Sequence, residues 1–376
     1  MKIVADDKIP FLKGALEPYA DVVYISGSKI SRIDLKDADA LLIRTRTKCN
    51  ESLLKGSTVK FIGTATIGYD HIDTVYCDKN GIKWTNAPGC NSSSVQQYIT
   101  AVLLKIANDR EISLKGRILG IVGAGSVGSK VEKTANAFGM KTLINDPPRE
   151  RKEGPGRFVS FHTVLRESDI ITLHVPLNRT EADRTFHMFS GEIFSKLGKK
   201  VWFINSSRGE VVETASLKNA VRLGLIEGAV IDVWENEPDI DTELLSLASV
   251  STPHIAGYST DGKANGTSMI VNSLSSFFGL PLKGWYPSDI PQPEKTVIDI
   301  DCKGRNEEDI AHEIVKMTYD VGYDDKNLRN TPGDFEKLRG NYRVRREFTS
   351  FRVVLKNSYQ EIENMLKQLG FNTDYV

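Results

Sequence analysis

Gly116–Arg149 reads GRILGIVGAGSVGSKVEKTANAFGMKTLINDPPR, and the order of its residues decides the fold. Ile118–Val122 is a short apolar run of the kind buried in a parallel sheet. Gly123, Gly125 and Gly128 follow it as G-x-G-x-x-G where a helix has to begin. Val127, Val131, Ala135 and Phe138 recur at helical spacing, Gly139 can close the helix, and Lys141–Asn145 supplies a second strand that ends on Asp146. Strand, tight turn, helix and strand make one βαβ unit. In such a unit one glycine permits the turn, one lets backbone approach a pyrophosphate, and one lets the helix pack closely on the strand. The free N–H groups at the helix start then face the phosphates. Asp146 is placed to accept from a ribose 2′-OH and to repel a 2′-phosphate, which favours NAD, although the neighbouring cations Arg149, Arg151 and Lys152 leave room for NADP.

The remaining composition narrows the class. A chain of 376 residues fits roughly two or three domains. Lys plus Arg and Asp plus Glu each number 49, so the formal net charge is zero, and no global field points to nucleic acid or to a membrane surface. Cys49, Cys77, Cys90 and Cys302 lie far apart without C-x-x-C spacing, as reduced thiols do and disulfide frameworks or zinc sites do not. Cys90 is expected to be buried rather than nucleophilic, since no base accompanies it. No close His/Asp/Glu cluster calls for a metal. The opening residues MKIVADD lack a signal peptide's apolar region, and no run reaches the about eighteen apolar residues of a membrane helix. A soluble, cytoplasmic protein is expected.

Outward from the central unit, residues 1–92 alternate short apolar runs with helical patterns and read as a small α/β domain. Its loops Arg44–Lys48 and Thr64–His71 follow strands; the first, cationic and hydroxyl-bearing, suits a carboxylate or phosphate. Ser92–Asp109 reads as an amphipathic helix bridging to residues 93–256, where strands and helices alternate as a doubly wound parallel sheet requires. Asn265–Phe278 reads as a second crossing helix, within a return of the chain to the first domain over 257–280. The proline-rich Pro281–Pro293 marks a boundary, and 281–376 reads as an α+β appendix with a polar stretch in its middle.

Polar residues at or beyond the carboxyl ends of the central strands are the ones that can meet a ligand. Arg208, Glu237 and His254 fall there, and together they match hydride transfer from a 2-hydroxy acid. The arginine fork holds the carboxylate and polarises the carbonyl oxygen, the histidine takes the hydroxyl proton, and the glutamate stabilises the imidazolium. Asp232 ends its strand where a nicotinamide amide can sit, with a buried carboxylate bonded to backbone as the competing account. His174 is read as structural; His71, His162, His187 and His312 have no partner pattern. Arg343, Arg345 and Arg346 are expected to form a solvated or subunit-interface patch.

GAGSVGSKV, NDPPR, HVPL, INSSRGEVV, AVIDVWENEP and TPHIAGYS resemble the D-2-hydroxyacid dehydrogenases. GTATIGYDHID, NAPGCN and RREF are similar to a narrower branch of that family, which oxidises 4-phosphoerythronate to 2-oxo-3-hydroxy-4-phosphobutanoate on the route to pyridoxal phosphate; the likeness spans essentially the whole chain. It implies catalytic roles for Arg208, Glu237 and His254, and cofactor contacts at Gly123, Gly125, Ser126, Val127, Gly128, Asp146, Val175, Asp232 and Gly257. Substrate contacts are implied at Thr45, Thr66 and Tyr258. Thr45 stands where serine is expected and keeps the hydroxyl; Val175 stands where threonine is usual and loses it. The resemblance also implies a doubly wound, Rossmann-type NAD domain, a flavodoxin-like discontinuous substrate domain, and a homodimer built through an α+β C-terminal domain. The rival expectations are a relative acting on 3-phosphoglycerate or hydroxypyruvate, and a non-catalytic NAD(H)-sensing interaction protein.

Overall fold

The computed structural model describes residues 1–180 and 183–375, and its contacts divide the chain into two compact units. The first comprises Met1–Asn91 and Ser259–Pro291, the second Ser92–Tyr258 and the chain from Gln292 onward.

The first unit is a parallel sheet of β1 (Lys2–Asp6), β2 (Asp21–Ile25), β3 (Ala40–Ile43), β4 (Phe61–Thr64) and β5 (Lys83–Thr85). Its order, β2-β1-β3-β4-β5, is the flavodoxin-like one. The central strands are buried on both faces, so ALLI and FIGT carry no polar alternation. The returning helix Thr260–Phe278 covers one face, where Ile270, Val271 and Leu274 join Ile3, Leu42 and Phe61 in one core. That helix starts earlier than the expected Asn265 because the Ser259 hydroxyl caps it, accepting from the Gly262 N–H at 2.7 Å. Gly262 and Gly266 weaken the pattern there, yet a Cβ at Gly266 would come within 2.7 Å of the Ala65 carbonyl oxygen, so close packing requires glycine.

The second unit carries β6 (Ile118–Val122), β7 (Lys141–Asn145), β8 (Ile170–Leu173), β9 (Trp202–Asn205), β10 (Gly228–Ile231) and β11 (Val250–Ser251). They form a parallel sheet in the order β11-β10-β9-β8-β6-β7. The order reverses between β6 and β8, the switch point outside which open α/β sheets bind ligands. Beyond β7, a single parallel bridge between Ile144 and Phe158 extends the edge.

The C-terminal segment adds β12 (Val297–Asp301), β13 (Arg352–Lys356) and β14 (Asn372–Tyr375), all parallel. β14, with the sequence NTDY, has no apolar signature; it is placed by pairing with β13 and by the ion pair of Arg352 with Asp374. The stretch read as polar contains two helices, Val321–Asn330 and Phe335–Gly340, held by a few apolar anchors: Val321, Leu328 and Phe335 are all buried. Ile298, Ile310, Ile314, Val353 and Leu366 share one hydrophobic core with Ile99, Val102, Leu103 and Ile106 of the Ser92–Arg110 helix. The appendix is therefore built onto the nucleotide half.

Candidate active site

The glycine turn has the geometry a pyrophosphate needs. Gly123 takes φ of 91°, and a Cβ there would lie 2.6 Å from the His174 carbonyl oxygen, so the two loops flanking the switch point touch through a missing side chain. A Cβ at Gly128 would meet the Gly123 carbonyl oxygen at 2.0 Å, which presses the Ser126–Ala137 helix onto β6. Gly125 is the N-cap of that helix, and a Cβ there would meet no protein atom within 4 Å; its constraint is of the kind a dinucleotide's phosphates impose. Ser126 is exposed, Val127 is partly buried, and Val175 lies against Gly123, its Cγ1 2.9 Å from the same ideal Cβ position.

Asp146 closes this cradle. One carboxylate oxygen accepts from the Ala124 N–H at 2.8 Å and the other from the Arg149 N–H at 3.1 Å, capping the helix Pro147–Glu153. Arg149 turns to Glu153, with contacts of 2.6 and 2.8 Å, and to the Ala124 carbonyl; Arg151 pairs with Asp183. Two of the three cations that follow Asp146 are thus already paired with carboxylates.

The three candidate reacting residues, Arg208, Glu237 and His254, follow three adjacent strands. After β9, Asn205 folds the SSRG turn, accepting from the Ser207 N–H and hydroxyl and donating to the Arg208 carbonyl at 3.0 Å; the Arg208 guanidinium donates to the Ser207 carbonyl at 2.8 Å. The turn lies against the segment after β10, since a Cβ at Gly209 would be 2.0 Å from the Trp234 carbonyl. Glu237 accepts from the Trp234 N–H at 3.0 Å and from His254 Nδ1, 2.8 Å from Oε2 and 3.1 Å from Oε1. Burial would raise the Glu237 pKa, but the hydrogen bond and charge of His254, the Trp234 N–H and the charge of Arg339 outweigh it and hold the carboxyl below its ordinary value. His254 adopts φ of 54°, a left-handed conformation that the surroundings must enforce, with its N–H donating to the Asp232 carbonyl at 2.7 Å.

The surroundings do so through Asp232. Its buried carboxylate accepts from the Thr252 hydroxyl at 2.6 Å and from the N–H groups of Ile255 at 2.8 Å and Ala256 at 3.0 Å. Burial raises its pKa, while His254, Thr252 and the two N–H groups offset part of the shift. Asp232 is thus bonded to backbone and stays at the base of the loop that leads to Gly257 and Tyr258.

Arg345 and Arg346 correct the expectation of a solvated or interface patch. Arg345 is 2% exposed and donates to Gln97 Oε1 at 2.7 Å, the Ile255 carbonyl at 3.1 Å and the Ser94 carbonyl at 2.6 Å. Arg346 is buried and donates to Gln292 at 2.6 Å. Only Arg343 is exposed. The run of arginines looks like a surface patch in sequence because its partners are remote. Arg339, which the sequence did not single out, donates to the Tyr258 hydroxyl at 3.0 Å. His174 pairs with the Thr172 hydroxyl at 3.0 Å, and burial pushes its imidazole down to about 3. His71 lies 3.2 Å from the Thr64 hydroxyl, and His187 pairs with Glu235 at 2.7 Å. Cys90 is buried. Among the described residues, no group of three or more His, Cys, Asp or Glu side chains is placed to hold a metal ion.

In the first unit, the loop after β3 turns Thr47 inward to the Gly27 carbonyl at 2.8 Å and leaves Thr45 exposed; Arg44 donates to the Lys8 carbonyl at 3.2 Å. After β4, the Thr66 hydroxyl lies 2.8 Å from that of Thr64 and donates to the Gly68 carbonyl at 3.0 Å. Lys263, on the first turns of the returning helix, was also missed in the sequence. Burial lowers its pKa, and the like charge of Arg44 lowers it further.

Residues 95–256 match the family profile of the D-isomer specific 2-hydroxyacid dehydrogenase NAD binding domain. A protein of Bacteroides thetaiotaomicron is 49% identical, with 94% of this chain and 99% of the relative covered. The chain belongs to the D-isomer specific 2-hydroxyacid dehydrogenase family. That relative is called an erythronate-4-phosphate dehydrogenase, as is one of Photorhabdus laumondii that is 38% identical with the whole of both chains covered. The crystal structure of D-lactate dehydrogenase from Aquifex aeolicus, complexed with NAD and lactic acid, is 29% identical with a TM-score of 0.62, covering 74% of this chain and 96% of that one. Residues 291–370 match a domain of unknown function, DUF3410. The protein is thus an NAD-dependent dehydrogenase, and the cradle of Gly123, Gly125, Gly128 and Asp146 has the chemistry to hold NAD.

Proposed function

We propose that the protein oxidises 4-phospho-D-erythronate to 2-oxo-3-hydroxy-4-phosphobutanoate, within pyridoxal 5′-phosphate biosynthesis. The observation that carries this reading is the likeness to relatives called erythronate-4-phosphate dehydrogenase over nearly the full length of both chains, the C-terminal segment included. Bound NAD supplies the acceptor for the hydride of C2. The chain's own residues do the rest. Arg208 holds the substrate carboxylate and draws electron density from the developing carbonyl oxygen. His254, with Nδ1–H donated to Glu237, takes the C2 hydroxyl proton on Nε2, and the glutamate stabilises the imidazolium that results. Ser126, Val127, Val175 and Gly257 are assigned to the cofactor and Tyr258 to the substrate, with Asp232 holding the loop that leads to Gly257.

For the substrate phosphate we assign Thr45, Thr66, Arg44 and Lys263 of the first unit. The support is electrostatic: burial, and after it the like charge of Arg44, disfavour the charged form of Lys263, which a phosphate would favour. A homodimer through the C-terminal segment is part of the same reading, supported by the exposure of Val297, Met317, Tyr323 and Val344. A cytoplasmic location is supported by four cysteines that are all free and buried.

The test is turnover of the purified full chain with NAD and a panel of 2-hydroxy acids. The expected result is the highest kcat/KM for 4-phosphoerythronate. A clear preference for 3-phosphoglycerate, or for an acid without the 4-phosphate, overturns the assignment. Light scattering of the eluted protein at twice the chain mass checks the dimer.

A further inference from the structure

The loop that carries His254 is held from outside its own sheet. Arg345 donates to the Ile255 carbonyl, and four residues after His254 the Tyr258 side chain is enclosed by two others from the same C-terminal segment. Tyr342 packs edge-on against the Tyr258 ring, centroids 6.1 Å apart at 82°, and the Tyr342 hydroxyl is fixed by Asp324 at 2.6 Å. Arg339 lies over the Tyr258 ring at 5.4 Å and donates to its hydroxyl at 3.0 Å.

We propose that Arg339 is a positioning residue of the active site: by fixing the Tyr258 hydroxyl it sets the enzyme's affinity for its 2-hydroxy acid, and the segment matching a domain of unknown function is thereby part of the catalytic apparatus. The inference rests on the assignment of Tyr258 to the substrate.

The local fold explains how a short helix delivers the arginine. Phe335 anchors Phe335–Gly340 in the core, and Arg339, one turn on, stacks on the Phe335 ring at 5.8 Å and pairs with Glu336 at 3.1 Å. Two of its nitrogens are thereby committed, to Glu336 and to Tyr258. The third, Nε, is buried without a partner among the described residues.

Steady-state kinetics of the full-length enzyme test this, using whichever 2-hydroxy acid the wild type oxidises best. A best substrate other than 4-phosphoerythronate therefore counts against that substrate assignment and leaves this comparison intact. Losing a hydrogen bond to a charged donor corresponds to about tenfold or more in affinity. Arg339→Gln is expected to raise KM for the acid by that factor, with KM for NAD and kcat within about threefold. Tyr258→Phe is expected to raise the acid KM as well, and the double variant to be no worse than the worse single, because both changes remove the same bond. Arg339→Lys, which keeps a charged donor, recovers part of the affinity. An unchanged acid KM in Arg339→Gln, parallel rises in both KM values, or losses that multiply in full in the double variant overturn the proposal. If Arg339→Gln does not fold, the same cycle run with Arg339→Lys decides it.

Discussion

His254 Nδ1 faces both carboxylate oxygens of Glu237, at 2.8 and 3.1 Å, from a histidine whose backbone is itself held at φ of 54°. The pairing fixes the tautomer and leaves Nε2 as the atom that takes the proton. His254→Gln is expected to lower kcat by about 10²–10⁴-fold, the range that general acid–base catalysis contributes. Glu237→Gln leaves the base in place but misdirected, for a loss of about 10–100-fold, as when an orienting partner is removed. Initial rates of NADH formation measure both, and full turnover by either variant would sink the assigned roles.

The difference between what could and could not be read from the sequence lies in how far apart partners are. Gly123 to Asp146 was legible because strand, turn, helix and acid are contiguous and each obeys a local rule. That Arg208, Glu237 and His254 follow neighbouring strands was legible because residues after parallel strands arrive at one edge of the sheet, where Glu237 and His254 pair. Arg339 and Arg345 were not: their partners Tyr258 and Ile255 lie 81 and 90 positions away, and the helix bearing Arg339 shows almost no apolar periodicity. Lys263 was hidden behind a helix start rich in glycine, and β14 is a strand by pairing rather than by composition.

Asp146 carries two loads that can be separated. Asp146→Ser removes the carboxylate assigned to the ribose and is expected to raise KM for NAD about tenfold, the effect of one hydrogen bond to a charged acceptor. Serine still caps the helix Pro147–Glu153, so thermal stability falls by less than the about 1 kcal/mol of a lost cap. NADP gains little from this change alone, because Arg149 is held by Glu153 through two contacts. Adding Glu153→Gln releases Arg149, and kcat/KM for NADP should then rise. Comparing the two cofactors across the single and double variants checks it.

Arg345 and Arg343 are two positions apart and should respond oppositely. Arg345→Met leaves the Ser94 and Ile255 carbonyls and Gln97 without their donor, in a site from which water is excluded, at about 1–3 kcal/mol for each group. A loss of at least about 3 kcal/mol is expected in urea unfolding, together with reduced kcat because Ile255 follows His254. Arg343→Met removes an exposed guanidinium that reaches the Asp320 carbonyl at 3.3 Å and the buried Asp324 carboxylate at 3.5 Å and lies over the Tyr323 ring, and should cost less stability than Arg345→Met. Equal effects at the two positions would contradict the burial pattern.

His174 predicts a pH dependence of stability with a definite sign. Burial holds its imidazole near 3 in the fold, against an ordinary 6.5 in the unfolded chain, so between those values the unfolded state binds one more proton. Stability therefore rises with pH across that window, is fully present above about 6.5, and is lost as pH falls toward 3. One proton corresponds to about 1.4 kcal/mol per pH unit at most, and less to the extent that solvent reaches the ring. His174→Asn, which keeps a polar group beside Thr172 but does not titrate, should flatten the curve by that slope between about pH 6 and 5, where most carboxylates remain ionised. The measurement is the unfolding free energy of both proteins in urea at closely spaced pH values. Parallel curves would mean that the imidazole titrates in the fold as it does in the unfolded chain.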